Sequence, residues 1–166
     1  AFIGRYNRQN LANIAWAFAV ANVAAPSLFN DEFINACIER ENEFTAKELR
    51  QLHQFNLWHE ELQSDIILPL SFQEKCYNAF VSAVTAPSAL QDDVVSNLCS
   101  LGLQLEKEAL TKSGYRLDAL VEVNGEKIAI EVNGPSHFLG REPAGKTILK
   151  YRQVTNLDGI RVVSVP

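Results

Sequence analysis

Apolar residues recur at helical spacing through the first half of the chain and switch to strand-like alternation in the second. Residues 7–23 carry Ala, Leu, Ile, Trp and Phe at a period of about 3.6 and are closed before Pro26, which predicts a first helix. A second is expected over 28–40, with Phe29, Phe33, Ile34 and Cys37 towards a core. Thr45 followed by Glu48 has the form of a capping box and opens a third helix through Leu49, Leu52, Leu57 and Trp58. The period breaks at 64–70 (SDIILPL) and resumes over 71–85, where Phe72, Cys76, Tyr77, Phe80 and Val84 share a face. Leu11, Ile14 and Phe18 recur in type at Leu49, Leu52 and, poorly, Asn56, a shift of 38 residues. Two helices per unit at that period is what a helical-hairpin repeat gives.

A break at 86–88 (APS) places a domain boundary at Pro87 and divides the chain into 1–87 and 88–166. Beyond it, Ser88 is a suitable N-cap for a helix over 89–101, with Asp92 and Asp93 near its positive end. Strands are expected at 103–109, 115–123 and 127–133, then a helix at 147–157 and a last strand at 160–165. Asn124-Gly125 is the signal of a tight hairpin turn, so the second and third strands should pair antiparallel. Asp158-Gly159 should end the last helix through a left-handed glycine.

That hairpin carries the candidate chemistry. It brings Asp118, set among apolar neighbours in YRLDALVEV, towards Glu131 in IAIEVNGPSHF. An acidic residue on one strand and Glu-x-polar on the next is the layout of a PD-(D/E)xK nuclease, in which carboxylates hold a divalent cation and a lysine assists the attacking water. The lysine position here is Asn133, which carries no charge and moves no proton near neutral pH. Glu106 or Glu108 could supply a third carboxylate. Gly134-Pro135 restricts the chain as it leaves the strand, and Ser136 and His137 follow at once. On the last helix Lys146, Lys150 and, less closely, Gln153 share a face.

Composition bounds these readings. At 166 residues and 47% hydrophobic content the chain can bury a core, and no apolar run reaches the roughly 18 residues of a membrane span. The opening AFIGRYNRQN has the form of neither a signal nor a transit peptide, so any targeting segment would lie outside this sequence. Cys37, Cys76 and Cys99 lie far apart in apolar helical contexts and are expected to be buried free thiols in a reducing compartment. A formal charge of -5 opposes phosphate binding by the molecule as a whole. Between 141 and 161, however, Arg141, Lys146, Lys150, Arg152 and Arg161 face only Glu142 and Asp158, a local net of +3.

The segments GYRLDALVEVNGEKIAIEVNGPSHF and GKTILKYRQVTNLDGIRVVSVP resemble the RAP domain, an RNA-binding module abundant in apicomplexans and found in organellar RNA-processing proteins. The resemblance covers residues 88–166, and EVNGPSHF is its most specific motif. LANIAWAFA at 11–19 is similar to the octotricopeptide and heptatricopeptide helical repeats that often precede such domains. Two departures are visible: family members commonly carry Asp where this chain has Asn133, and the Tyr-Trp-x-Trp stretch that often follows the last strand is absent. The chain is therefore expected to be a piece of a longer protein, truncated at its C-terminal end.

Together these readings predict an α+β protein, with N-terminal repeat-like α-helical hairpins packed on a C-terminal restriction-endonuclease-like domain of the PD-(D/E)xK type. The leading expectation is an RNA-binding module of an RNA-processing protein, needing no cofactor and no membrane, with other RNA-processing proteins as further partners. Asn133, Ser136 and His137 would meet a nucleotide or terminal phosphate, while Arg141, Lys146, Lys150 and Arg152 hold the backbone. The alternative is an endoribonuclease in which Asp118 and Glu131 bind Mg2+ or Mn2+ and do the catalysis. A protein-docking domain is the second alternative. A mitochondrion or a plastid is implied by the resemblance alone.

Overall fold

The computed structural model describes residues 3–83 and 88–166. The chain divides into two compact units, Ala1–Ala83 and Val84–Pro166. The boundary expected at Pro87 falls outside the described residues, as does Val84.

The first unit is helical. After a 3₁₀ turn at Ile3–Arg5 come α1 (Arg8–Ala21), α2 (Asp31–Glu39), α3 (Ala46–Glu61) and α4 (Leu70–Val81). The α2 helix begins later than the apolar pattern implies because the Asn30 side chain caps it, accepting a bond from the Phe33 N–H at 3.2 Å. At the head of α3 the Thr45–Glu48 capping box forms, and Glu48 also takes the Arg8 guanidinium at 2.5 Å. A second box, Asn7 with Asn10, opens α1, and the sequence reading passed over it because asparagine stands where Glu or Gln is usual. The α1 residues Leu11, Ala12, Ala15 and Ala19 are buried, three of them small enough to admit a neighbouring helix closely.

That neighbour is α3, alongside α1 and running the same way. Gln51 Nε2 donates to Asn13 Oδ1 at 3.1 Å, and Trp16 Nε1 donates to Gln54 Oε1 at 2.8 Å. Each pair is 38 residues apart, the shift seen in the apolar pattern. Between the helices lies an aromatic core in which Phe29 meets Phe18, Phe33, Phe55 and Trp58 at ring separations of 4.9 to 5.9 Å. His59 joins it, 4.4 Å from the Phe55 ring.

The second unit runs α5 (Ala89–Ser100), β1 (Leu105–Leu110), β2 (Arg116–Val123), β3 (Glu126–Val132), β4 (Phe138–Leu139), β5 (Glu142–Pro143), α6 (Gly145–Asp158) and β6 (Arg161–Val165). The α+β class is as expected, helices first and strands after. The main sheet has the order β1-β2-β3-β6. Its first three strands form an antiparallel meander, and β6 pairs parallel to β3, with Ile130 opposite Val163. Asn124 and Gly125, at φ 54 and 81, form the β2–β3 turn. Gly159, at φ 67, ends α6 and donates its N–H to the Val154 carbonyl.

Alternation gives the sheet two different faces. Ala119, Val121 and Ile130 pack with Val95 of α5 into the core on one side. On the other side α6 meets the sheet, with Lys150 reaching Glu131 and Tyr151 reaching Asn133. Polar side chains of β3 therefore point at a helix. Two expectations fail here. Cys99 is exposed while Cys37 and Cys76 are buried, because α5 is amphipathic and only its Val95 side is covered. Gln153 does not share the open face of Lys146: it is fully buried and takes a bond from the Tyr115 hydroxyl at 2.7 Å.

Candidate functional site

The β2–β3 ladder runs to the pair Ala119–Ile130. Just past it, the Val132 N–H donates to Asp118 Oδ2 at 2.8 Å, so a carboxylate closes the end of the hairpin in place of a backbone carbonyl. Asp118 is half-buried and Glu131 is 3% exposed. Alternation puts both on the α6 face of adjacent strands, and the structure does bring together the pair expected from the sequence.

Glu131 is held by one cation. Lys150 Nζ, from the middle of α6, donates to Glu131 Oε2 at 2.5 Å and to the Arg116 carbonyl at 2.8 Å. The other oxygen, Oε1, is buried without a hydrogen bond of normal geometry, though the Asp118 backbone N–H lies near enough to the carboxylate to lower its pKa. Burial pushes the Glu131 carboxyl above the usual carboxylate range; Lys150 pulls it down, and Asp118 adds to the rise. The sequence reading assigned Lys150 to RNA and missed this pairing. The available signal was the strand itself: a glutamate inside an apolar, doubly covered β3 needs a counter-charge, and α6 follows with Lys150 in its middle.

Asn133 is 3% exposed. Its Nδ2 donates to the Tyr151 hydroxyl and to Ser164 Oγ, the latter at 2.8 Å, while its own N–H reaches the Val165 carbonyl at 2.8 Å. The residue in the lysine position of the nuclease motif thus ties β3, α6 and β6 together. Both side-chain partners are hydroxyls, which donate or accept, so the same cradle would satisfy a carboxylate there.

Beyond β3, a 3₁₀ turn at Pro135–His137 leads into a two-strand ribbon of β4 and β5 that the sequence reading did not foresee. Gly140 and Arg141 form its tip, and Arg141 is exposed. His137 is half-buried and lies against Thr147, whose hydroxyl is 3.4 Å from Nδ1. Its pKa is lowered by burial and then by Lys146 and Lys150, against a smaller opposing pull from Asp118. Lys146 is exposed in the first turn of α6, and Arg152 is half-buried. The Ser136 side chain lies outside the described residues.

These placements test the fit of a divalent cation. Mg2+ seeks six oxygens in a near-octahedral shell. Here Glu131 Oε2 is taken by an ammonium and Asp118 Oδ2 by a backbone N–H. Glu108 adopts φ 52 and accepts from Gln91 of α5 at 2.7 Å, which turns its carboxylate to the other side of the sheet. Glu106 is exposed on β1. Among the described residues no group of three or more His, Cys, Asp or Glu side chains could hold a metal ion. The donor set does not fit the cation. Nor, among the described residues, is any helix long and apolar enough to cross a membrane.

A comparison with curated proteins supports the family resemblance. A chloroplastic RAP domain-containing protein of Oryza sativa subsp. japonica is 28% identical over an alignment of 170 positions, covering 93% of this chain. The chain spans about a quarter of that relative's length (26%). No protein-family model matches the chain.

Proposed function

We propose that the second unit is an RNA-binding module of an RNA-processing protein and that it binds without cleaving. The carrying observation is how charge is divided around α6. Lys150 is spent on Glu131 within the unit, while Arg141 at the ribbon tip and Lys146 at the helix start stay exposed, Lys146 near enough to His137 to lower its pKa. Phosphates would meet those cations, and His137 with the 134–137 turn would meet a nucleotide. Asn133 and Lys150 serve by fixing β3 to α6 beneath that surface. Arg152, half-buried on α6, would lie at its margin.

In support stand the RAP-domain relative and the α-β-β-β-α-β order of the core, the order expected of a restriction-endonuclease-like domain. The first unit is read as the end of a helical-hairpin array, supported by the two hydrogen bonds between α1 and α3 at a spacing of 38 residues. The relative is chloroplastic, and a plastid is the compartment proposed for this chain.

The endoribonuclease reading keeps one feature in its favour, the Asp118–Glu131 pair on one sheet face. A labelled single-stranded RNA incubated with the full chain, in EDTA and in Mn2+, separates the two. The proposal expects equal retention of intact RNA in both buffers. Cleavage in Mn2+ that disappears in Asp118→Ala or Glu131→Ala would overturn it.

A further inference from the structure

The main sheet has two outer strands, and they are finished differently. β1 carries three consecutive charges, Glu106, Lys107 and Glu108, and its pairing with β2 is interrupted at Glu108, which adopts φ 52. Charges and local distortion on an outer strand are defences against the addition of another strand. β6 (RVVSV) has neither: beyond Arg161 it is uncharged, it holds no proline, and it pairs with β3 without interruption from Arg161 to Val165. Val165 turns its carbonyl towards β3, where it accepts from the Asn133 N–H at 2.8 Å. Backbone groups alternate in direction along a strand, so Val162 and Ser164 turn their N–H and carbonyl groups outwards. Between them Val163 lies opposite Ile130, on the face of the α5 core, and is still 39% exposed because no strand of the sheet lies beyond it among the described residues.

We propose that β6 pairs antiparallel with β6 of a second copy of this chain, about a two-fold axis at Val163, joining two four-stranded sheets into one. The edge is its own complement. With Val163 of one copy facing Val163 of the other, the outward groups of Val162 meet those of Ser164 and the reverse, so the two residues that need partners supply them to each other. Arg161 falls opposite Val165, and no like charges are opposed. The two Val163 side chains cover one another and carry the apolar face across the axis. A strand pair this short buries less than the roughly 1,200 Å2 of a standard interface, so the pairing is weak and reversible, forming at protein concentrations on the order of 100 µM.

The test is sedimentation equilibrium of the full chain between about 10 µM and 1 mM. Wild type is expected to pass from monomer to dimer across that range. Val163→Arg and Val163→Glu each set like charges face to face at the axis, so each should stay monomeric alone, and the two should form a dimer when mixed in equal amounts. Circular dichroism checks that both variants fold. Hydrogen exchange in wild type is a second readout that needs no variant: the amides of Val162 and Ser164 should slow as concentration rises, while that of Val163, already turned to β3, should not change. A chain monomeric throughout would overturn the proposal. So would a dimer that persists in Val163→Arg, or one that leaves the Val162 and Ser164 amides unchanged, since either would place the contact elsewhere. Failure of the two folded variants to pair on mixing would overturn the axis at Val163.

Discussion

Among the described residues, each unit buries a nitrogen- or oxygen-bearing titratable side chain that is left short of hydrogen-bond partners, and the two handle the problem in opposite ways. In the helical unit His59, 4% exposed, sits among Phe55, Trp58 and Phe29 with both ring nitrogens unpartnered. Burial pushes its pKa down to about 4, and it stays neutral. In the mixed unit Glu131 is as deeply buried, but a lysine is delivered to one of its oxygens. A neutral imidazole is tolerated in an aromatic core as a flat, weakly polar ring. A carboxylate in a sheet is kept only with a cation, and that cation must come from another element. The first arrangement is packing, whereas the second is an ion pair that joins the sheet to α6.

The comparison breaks most sharply at Lys150. Removing it alone strands a buried carboxylate, so Lys150→Met should lower the unfolding free energy of the second unit by about 3 kcal/mol. Adding Glu131→Leu should recover most of that loss, because a buried ion pair can be exchanged for apolar groups at little net cost. Urea denaturation of the two variants, read by a probe within residues 88–166, measures both. A double variant no more stable than the single would mean that Lys150 acts through something other than Glu131.

Acidification should move the two units in opposite directions. His59 has a folded pKa below its unfolded value of 6.5. The unfolded chain therefore binds the proton first, and the first unit loses stability as pH falls from 6.5 towards 4, about 3 kcal/mol in all. Glu131 has a folded pKa above its ordinary 4.5. Its contribution is fully present below 4.5 and lost as pH rises through the elevated value, so mild acid favours the second unit at this residue. Hydrogen exchange followed by mass spectrometry at two pH values resolves the units separately. His59→Leu should flatten the response of the first, and Glu131→Gln that of the second.

A smaller effect sharpens the view of the first unit as packing and capping alone. Thr45→Ala removes the side-chain acceptor for the Glu48 N–H, 3.4 Å away, and should cost about 1 kcal/mol. The loss should register in thermal melting of the first unit only.

What could be read in advance divides along the same line. Turn and cap residues speak locally, so the Thr45 box, the Ser88 cap, the Asn124-Gly125 hairpin and the Gly159 stop were all legible and carried the order of helices and strands with them. The Asp118–Glu131 pairing was legible too, since a hairpin with a known turn fixes its register. The fate of Lys150 was not. Exposed and ion-paired lysines look alike along a chain, and only the angle at which α6 crosses the sheet decides between them. The burial of Asn133 was hidden similarly, because its partners Tyr151 and Ser164 lie on other elements. Cys99 was misplaced because an apolar helical context does not say which side of a thinly covered helix faces solvent.

The division of charge around α6 is tested most directly by the salt dependence of RNA affinity. Fluorescence anisotropy on a short single-stranded RNA would compare the full wild-type chain, Arg141→Ala with Lys146→Ala, and Lys150→Met. Each phosphate-contacting cation contributes about 0.7 to the slope of log affinity against log salt on a single strand, so the double variant should lose about 1.4. Lys150→Met should keep the wild-type slope, because its charge is spent on Glu131. An unchanged slope in the double variant, with the loss appearing in Lys150→Met instead, would contradict the account.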